Sequence, residues 1–270
     1  ESGDRRSAQG RGGRGIDRLS DYDYVLPDSA IAQVPLEDRT ASRLMVLPRT
    51  ESDIEHRAFR DLPDLLVPGD LLVMNDTRVT ALRLFGHKPS GGQVELLLLR
   101  PIDDVRFVAM ARPGRRLQAG ARVEFENGLA ATIEKTIDDG LREVRFDPHP
   151  ALQKQIESMG RTPLPPYIHA QLADASRYQT VYAQAPGSAA APTAGLHFTP
   201  GLLSRLRERG VDVAFVTLDV SLDTFRPVQV ENLEDHAMHG EKCAVPPDTE
   251  GWCRSRVSAS ICGSASLPCW

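Results

Sequence analysis

Residues able to do chemistry gather in three short stretches. The first, from Gly187 to Thr199, reads GSAAAPTAGLHFT, a run of small and almost uncharged side chains that ends near His197. Such side chains let backbone approach a ligand closely, and the Thr193-Ala194-Gly195 step is expected to leave N–H groups facing an anion or a carboxylate. Thr199 and Pro200, followed by Leu202, Leu203 and Leu206, have the form of a capped helix start, which also favours anions. The plainer alternative is a tight loop closing a strand, with His197 hydrogen-bonded in the core. In the second stretch, Asn75-Asp76-Thr77-Arg78 ends the apolar run Leu71–Met74. A rigid strand end can present functional side chains, and an Asx-turn is the open alternative. The third, Glu231 to Glu241, carries His236 and His239. Those histidines lie three apart with no HExxH pattern and no third ligand at a recognised spacing, so hydrogen-bonding imidazoles are expected there and no metal.

Composition limits the class of protein. The chain has 270 residues, 41% hydrophobic and 26% charged, enough for one large domain or two smaller ones. A net charge of -5 excludes a protein that coats nucleic acid non-specifically but leaves room for a local basic patch. Arg112, Arg115, Arg116 and Arg122, around a Pro-Gly turn, read first as a solvated loop and second as a phosphate-contacting edge. No apolar run approaches the roughly 20 residues that span a bilayer. The Arg-rich start lacks the apolar core of a signal peptide, so a cytoplasmic protein without a membrane partner is expected. The cysteines, Cys243, Cys253, Cys262 and Cys269, show no CxxC spacing, hence neither a zinc site nor a disulfide framework.

The elements that must position these groups can be read from periodicity. Residues 1 to 20 are rich in Gly, Ser and Arg and are expected to be disordered, with order beginning near Tyr24. Asp70–Asn75 and Val211–Leu218 read as buried strands. Between Ala81 and Phe146, short β-rich runs (82–85, 93–99, 106–111, 122–125, 130–134, 142–146) alternate with turns, as in a barrel or small sandwich. A helix is expected over 151–159, then a Pro-rich extended strap through Thr162–Ile168.

In order, SRLMVL, PGDLLVMNDTRV, TPLPPYI, YQTVYA, APTAGLHFT, TFRPV and the ExxxxHxMHxE of Glu231 to Glu241 resemble the S-adenosylmethionine:tRNA ribosyltransferase-isomerase family of queuosine biosynthesis. The resemblance covers about Tyr24 to Val245. It implies an α+β fold: a mixed α/β sheet domain (21–80 and 147–247) with an inserted small β-barrel (81–146). It also implies transfer and isomerisation of the ribosyl moiety of S-adenosylmethionine onto the 7-aminomethyl-7-deazaguanine wobble base of tRNA. Epoxyqueuosine-tRNA forms, and adenine and methionine are released. S-adenosylmethionine is then a consumed substrate rather than a cofactor, the partner is a tRNA anticodon stem-loop, and the enzyme is expected to be a monomer.

Within that resemblance, His197 is the first candidate for acid/base work, since imidazole titrates nearest neutrality. Asp76 and Glu231 are the carboxylate alternatives. Arg78 and Arg226 offer forked donors to a methionine carboxylate or a tRNA phosphate, and Tyr167 and Tyr178 offer faces to adenine or an anticodon base. Arg43, Asn75, Thr77, Thr193, Gly195, Phe198, Thr224, His236 and His239 complete the expected binding set. Two departures stand out. Asp219 occupies the place of a family histidine, and from Asp248 the chain turns Cys-, Ser- and Trp-rich, with no clear period. A changed, shortened C-terminus is expected from that tail, with Val211–Leu218 losing a sheet neighbour; the alternative function is then an impaired homologue that only binds tRNA.

Overall fold

A computed structural model describes residues 17–48, 53–114, 117–137, 140–221, 228–237 and 240–255, and the backbone of 259–261. Six antiparallel strands close into a barrel: β5 (Leu82–His87), β6 (Gln93–Pro101), β7 (Arg106–Arg112), β8 (Arg122–Glu124), β9 (Ala130–Thr136) and β10 (Arg142–Phe146), in the order β10-β7-β6-β5-β8-β9. Alternation drives the closure. Val94, Leu96 and Leu98 of β6 enter the barrel core, whereas Gln93 and Glu95 lie outside that cluster. Phe146 lies at the centre, stacked on Phe125 and edge-on to Phe107, both with centroids 5.7 Å away. Helix α1 (Leu152–Met159) adds Leu152 and Ile156, one turn apart, to the same core.

The chain enters the barrel from the half of the molecule that carries the chemistry. There β1 (Arg43–Val46) pairs antiparallel with β2 (Glu55–Ala58), and β4 (Thr77–Val79) pairs parallel with β11 (Ala185–Ser188). A four-stranded sheet runs β13-β12-β3-β14, formed by β3 (Leu71–Asn75), β12 (Asp212–Leu218), β13 (Cys243–Ala244) and β14 (Ala259–Ile261). All five residues of β3 are buried, as a continuous apolar run covered on both faces requires. Helix α2 (Pro200–Glu208) lays Leu202, Leu203 and Leu206 against Met74 and Phe198. Helix α3 (Pro247–Ser255) is held to β12 by the Thr249 hydroxyl, which donates to the Phe215 carbonyl at 2.8 Å. The fold is thus α+β with an inserted barrel, as the resemblance implies. Among the described residues, no helix is long and apolar enough to cross a membrane.

Two expectations change. Residues 17–22 are engaged rather than free: Leu19–Tyr22 forms a 3-10 turn, Leu19 N–H donates to the Glu231 carbonyl at 2.7 Å, and Leu233 N–H to that of Asp17 at 3.0 Å. Long-range partners, which local composition does not reveal, supply that order. Strand β12 also keeps two neighbours, antiparallel β13 and parallel β3, while β14 pairs with the other edge of β3.

Candidate active site

The Gly187–Thr199 stretch is not an open loop. Its beginning is strand β11, and Thr193–His197 winds into a 3-10 turn whose Gly195 N–H donates to the Pro192 carbonyl at 2.8 Å. That N–H is therefore spent, contrary to the expectation of a free anion-facing group. Gly195 is needed for packing instead: a Cβ there would collide with the Tyr182 hydroxyl and approach Thr180 Cγ2 to 2.8 Å. The cap reading of α2 holds, since Thr199 Oγ1 accepts the Leu202 N–H at 3.2 Å with Pro200 in the first helical turn.

This turn forms one wall of a pocket of about 230 Å³, closed on the other side by the 32–43 segment. Its polar walls are Arg39, Ser42, Arg43, Arg177, Thr193 and His197; the rest is aliphatic, and among the described residues no carboxylate lines it. His197 is half-buried, with its ring 5.1 Å from that of Phe59 and tilted by 43°. Phe198 beside it is fully buried, edge-on to Phe59 at 4.9 Å, so its part is to anchor the histidine rather than to touch a ligand.

Arg39 holds this wall in place. Its Nη1 donates to the carbonyls of Gln179 and Leu196, each at 2.9 Å, and its Nη2 to that of Ser176 at 3.2 Å. Leu196 directly precedes His197, so the guanidinium fixes the backbone from which the imidazole projects. Burial, and then the positive charge of Arg177, push the Arg39 pKa below the usual arginine value, with Asp174 opposing. Gln179 carries the connection onward: its side chain accepts from Val79 N–H at 3.1 Å and donates to Val79 C=O at 2.8 Å, beside Arg78 on β4. Arg43 has no carboxylate partner among the described residues.

A second polar cluster lies where β3 and β12 end. Asn75 Oδ1 accepts from Thr77 N–H and Leu218 N–H, each at 3.0 Å, and its Nδ2 donates to Leu218 C=O at 2.9 Å. The turn reading of Asn75 therefore prevails, and its amide ties two strands together. Thr77 is fully buried, its hydroxyl 3.4 Å from both the Ala185 carbonyl and Asp219 Oδ1. Both residues are buried and tie neighbouring strands of the frame together. Half-buried Asp76 keeps a carboxylate in play, with one oxygen accepting the Thr217 hydroxyl at 2.7 Å. Arg78 is exposed between two buried neighbours of β4.

The remaining candidates scatter. Glu231 lies against the N-terminal turn, accepting the Ser20 hydroxyl at 2.5 Å, and lines neither cluster. Half-buried His236 caps a 3-10 turn, its N–H donating to Leu233 C=O at 3.1 Å. Tyr167 is half-buried, and its carbonyl accepts from Gln33 Nε2 at 3.0 Å. Tyr178 is 1% exposed and packs with Val79, Ala191 and Leu196, so its ring faces are not open to a base. Burial pushes its pKa upward; the Ala191 backbone opposes this from beyond hydrogen-bonding geometry. Thr224, Arg226 and His239 lie outside the described residues. Among the described residues no group of three His, Cys, Asp or Glu could hold a metal. Arg39, Arg177 and Gln179 were not among the expected site residues, because their partners lie far away in sequence. The only local sign at Arg39 was Asp38, whose side chain caps the turn through Thr40 N–H at 2.9 Å.

The family model described as "Queuosine biosynthesis protein" matches residues 19–257. Two relatives bear the name S-adenosylmethionine:tRNA ribosyltransferase-isomerase. The one from Heliobacterium modesticaldum is 54% identical, covering 84% of this chain and 67% of the relative; the one from Desulfitobacterium hafniense is 49% identical, covering 86% and 68%. A crystal structure of S-adenosylmethionine tRNA ribosyltransferase from Thermotoga maritima is 31% identical, covers 87% of this chain and 65% of that one, and has a TM-score of 0.37. The chain thus spans about two thirds of the length of these relatives. With nearly its whole length matched, it belongs to the S-adenosylmethionine:tRNA ribosyltransferase-isomerase family, a family of transferases acting in queuosine biosynthesis.

Proposed function

We propose that the chain transfers the ribosyl moiety of S-adenosylmethionine to the 7-aminomethyl-7-deazaguanine wobble base of tRNA and isomerises it, giving epoxyqueuosine-tRNA, adenine and methionine. The observation that carries this reading, beside family membership, is His197 in the wall of a pocket with arginines and, among the described residues, no carboxylate. The reaction needs a base for a proton next to the sulfonium, a donor for the departing adenine, and a neutral amine as nucleophile. Imidazole is suited to the first two tasks near neutral pH. Arg43, with no carboxylate partner among the described residues, is suited to the methionine carboxylate. Asp76 is the carboxylate that could face the sulfonium charge.

Asp219 stands where the family has a histidine, so a role carried by that imidazole has no counterpart at this position. Asp219 lies 3.4 Å from the Thr77 hydroxyl, and its N–H donates to the Lys242 carbonyl at 3.0 Å, so it is an acceptor within the frame. His197 remains the first candidate for acid/base work, with Asp76 the carboxylate alternative. The test is adenine release from S-adenosylmethionine and precursor-bearing tRNA. His197→Gln is expected to lower it by about 10²–10⁴-fold while remaining folded. Near-parent release by the folded variant would remove His197 from the chemistry. A parent chain that binds tRNA yet releases no adenine would leave the binding-only alternative.

A further inference from the structure

We propose that the His197 pocket is one end of a continuous groove for single-stranded RNA, and that Phe85 and Arg161 form a base-stacking platform at its other end. The inference rests on the tRNA reading above and deepens it. Three cavities share walls. The His197 pocket and a neighbour of about 420 Å³ have Val34, Pro35 and Arg177 in common. That neighbour and a third, of about 370 Å³, share Leu164 and Ile168 of the Pro-rich strap, together with Leu172 just beyond its end. The strap is thus a wall common to the second and third cavities, and it is pinned to the barrel where Arg83 and Arg161 exchange backbone hydrogen bonds of 2.8 and 2.9 Å.

At the barrel end, Phe85 is 50% exposed on an outward position of β5, next to the fully buried Leu84. The Arg161 guanidinium carbon lies 5.3 Å from the Phe85 ring centroid, and Arg161 forms no ion pair among the described residues. An exposed aromatic ring layered with an unpaired guanidinium is what a nucleobase stacks on, with a cation to neutralise the adjoining phosphate. The cavity here is lined by Arg83, Arg161 and His169 and, among the described residues, by no carboxylate. Arg83 Nε lies 3.1 Å from Glu95, near enough for an ion pair but without hydrogen-bond alignment, so Arg161 supplies the uncompensated charge. Elsewhere on the barrel, Arg122 pairs with Asp147, and Arg142 donates to the carbonyls of Leu117 and Gly114. Of the phosphate edge considered at Arg112–Arg122, Arg122 is therefore engaged with a carboxylate, and Arg115 and Arg116 lie outside the described residues.

The experiment measures binding of precursor-bearing tRNA across a salt series for the parent, Phe85→Ala, Arg161→Ala and Arg161→Lys, with adenine release alongside. Loss of one stacked base is expected to raise Kd and KM for tRNA by about 5- to 150-fold, leaving kcat at saturating tRNA unchanged. Arg161→Ala should also reduce the slope of log K against log salt by about 0.7, whereas Phe85→Ala should not. Arg161→Lys should restore the slope but not the affinity. Parent-like affinity in both alanine variants overturns the platform while leaving the tRNA reading intact; failure of the parent to bind tRNA overturns that reading itself. If a variant does not fold, photo-cross-linking of a 4-thiouridine-substituted anticodon stem-loop to the unaltered protein decides. A cross-link at Phe85 supports the platform, and cross-links confined to other surfaces overturn it.

Discussion

The barrel and the half that carries the site are held together in opposite ways. In the barrel one apolar cluster runs through every strand, neighbours in the sheet are mostly neighbours in sequence, and charged pairs sit outside, such as Arg122–Asp147 and Arg145–Glu134. The site half is assembled from two-stranded sheets, 3-10 turns and a four-stranded sheet whose central strands come from residues 71–75 and 212–218. Its joints are side chains bonding distant backbone: Arg39 to Leu196 across 157 residues, Asn75 to Leu218 across 143, Gln179 to Val79 across 100. A site built on such joints places its groups accurately only when the whole half is folded. The barrel can keep its form without them.

The largest test of that contrast removes a core anchor. Phe198→Ala empties a fully buried position beside His197 and is expected to cost about 3–5 kcal/mol. Hydrogen exchange should show lost protection in β3 and β12 with the barrel strands unchanged. Equal loss in both halves would mean that they unfold as one unit.

A smaller effect is expected from Arg39→Met, which keeps volume but leaves the carbonyls of Ser176, Gln179 and Leu196 without their donor. About 1–3 kcal/mol should be lost, the range for an orphaned polar group. Adenine release should fall through kcat more than through KM, because the His197 backbone is freed. A loss in KM alone would make Arg39 a ligand to substrate rather than a clamp.

The smallest effect belongs to the barrel surface. Hydrogen bonds from Arg122 hold Asp147 below the ordinary carboxylate range, with the arginine charge adding to them. Because the folded pKa is depressed, this contribution is present above the unfolded value near 3.9 and is lost as pH falls through the lower folded value. Arg122→Ala should therefore reduce urea stability slightly at pH 6, and by less at pH 3. An effect that grows on acidification would contradict the pairing.

Much of the barrel was legible because its signals are local. The runs at 82–85, 93–99, 106–111, 122–125, 130–134 and 142–146 each fall within the observed strands or overrun them by one residue, since alternation and the Gly, Pro and Asp turns between them act over a few positions. The same holds for α2, whose Thr199 cap and Pro200 start are local chemistry. In the site half the sequence pointed to segments, and the contacts of their side chains could not be read from it. His197, Thr193 and Arg43 do line one pocket. Asn75 and Thr77 are hydrogen-bonded to neighbouring strands, and Gly195 and Phe198 are packed in the interior.

Sequence by itself determined the family, the strand periodicity and the positions at which polar groups gather, because those depend on residue type and short spacing. Only the tertiary structure decided which polar atoms remain available. Asn75 is spent because Leu218 stands opposite it, Glu231 is drawn to Ser20, Tyr178 is sealed under Ala191 and Leu196, and Arg39 becomes the clamp on His197. Each outcome depends on a partner at least 13 residues away and mostly more than 100, and on burial summed over several elements. No window of local sequence contains either.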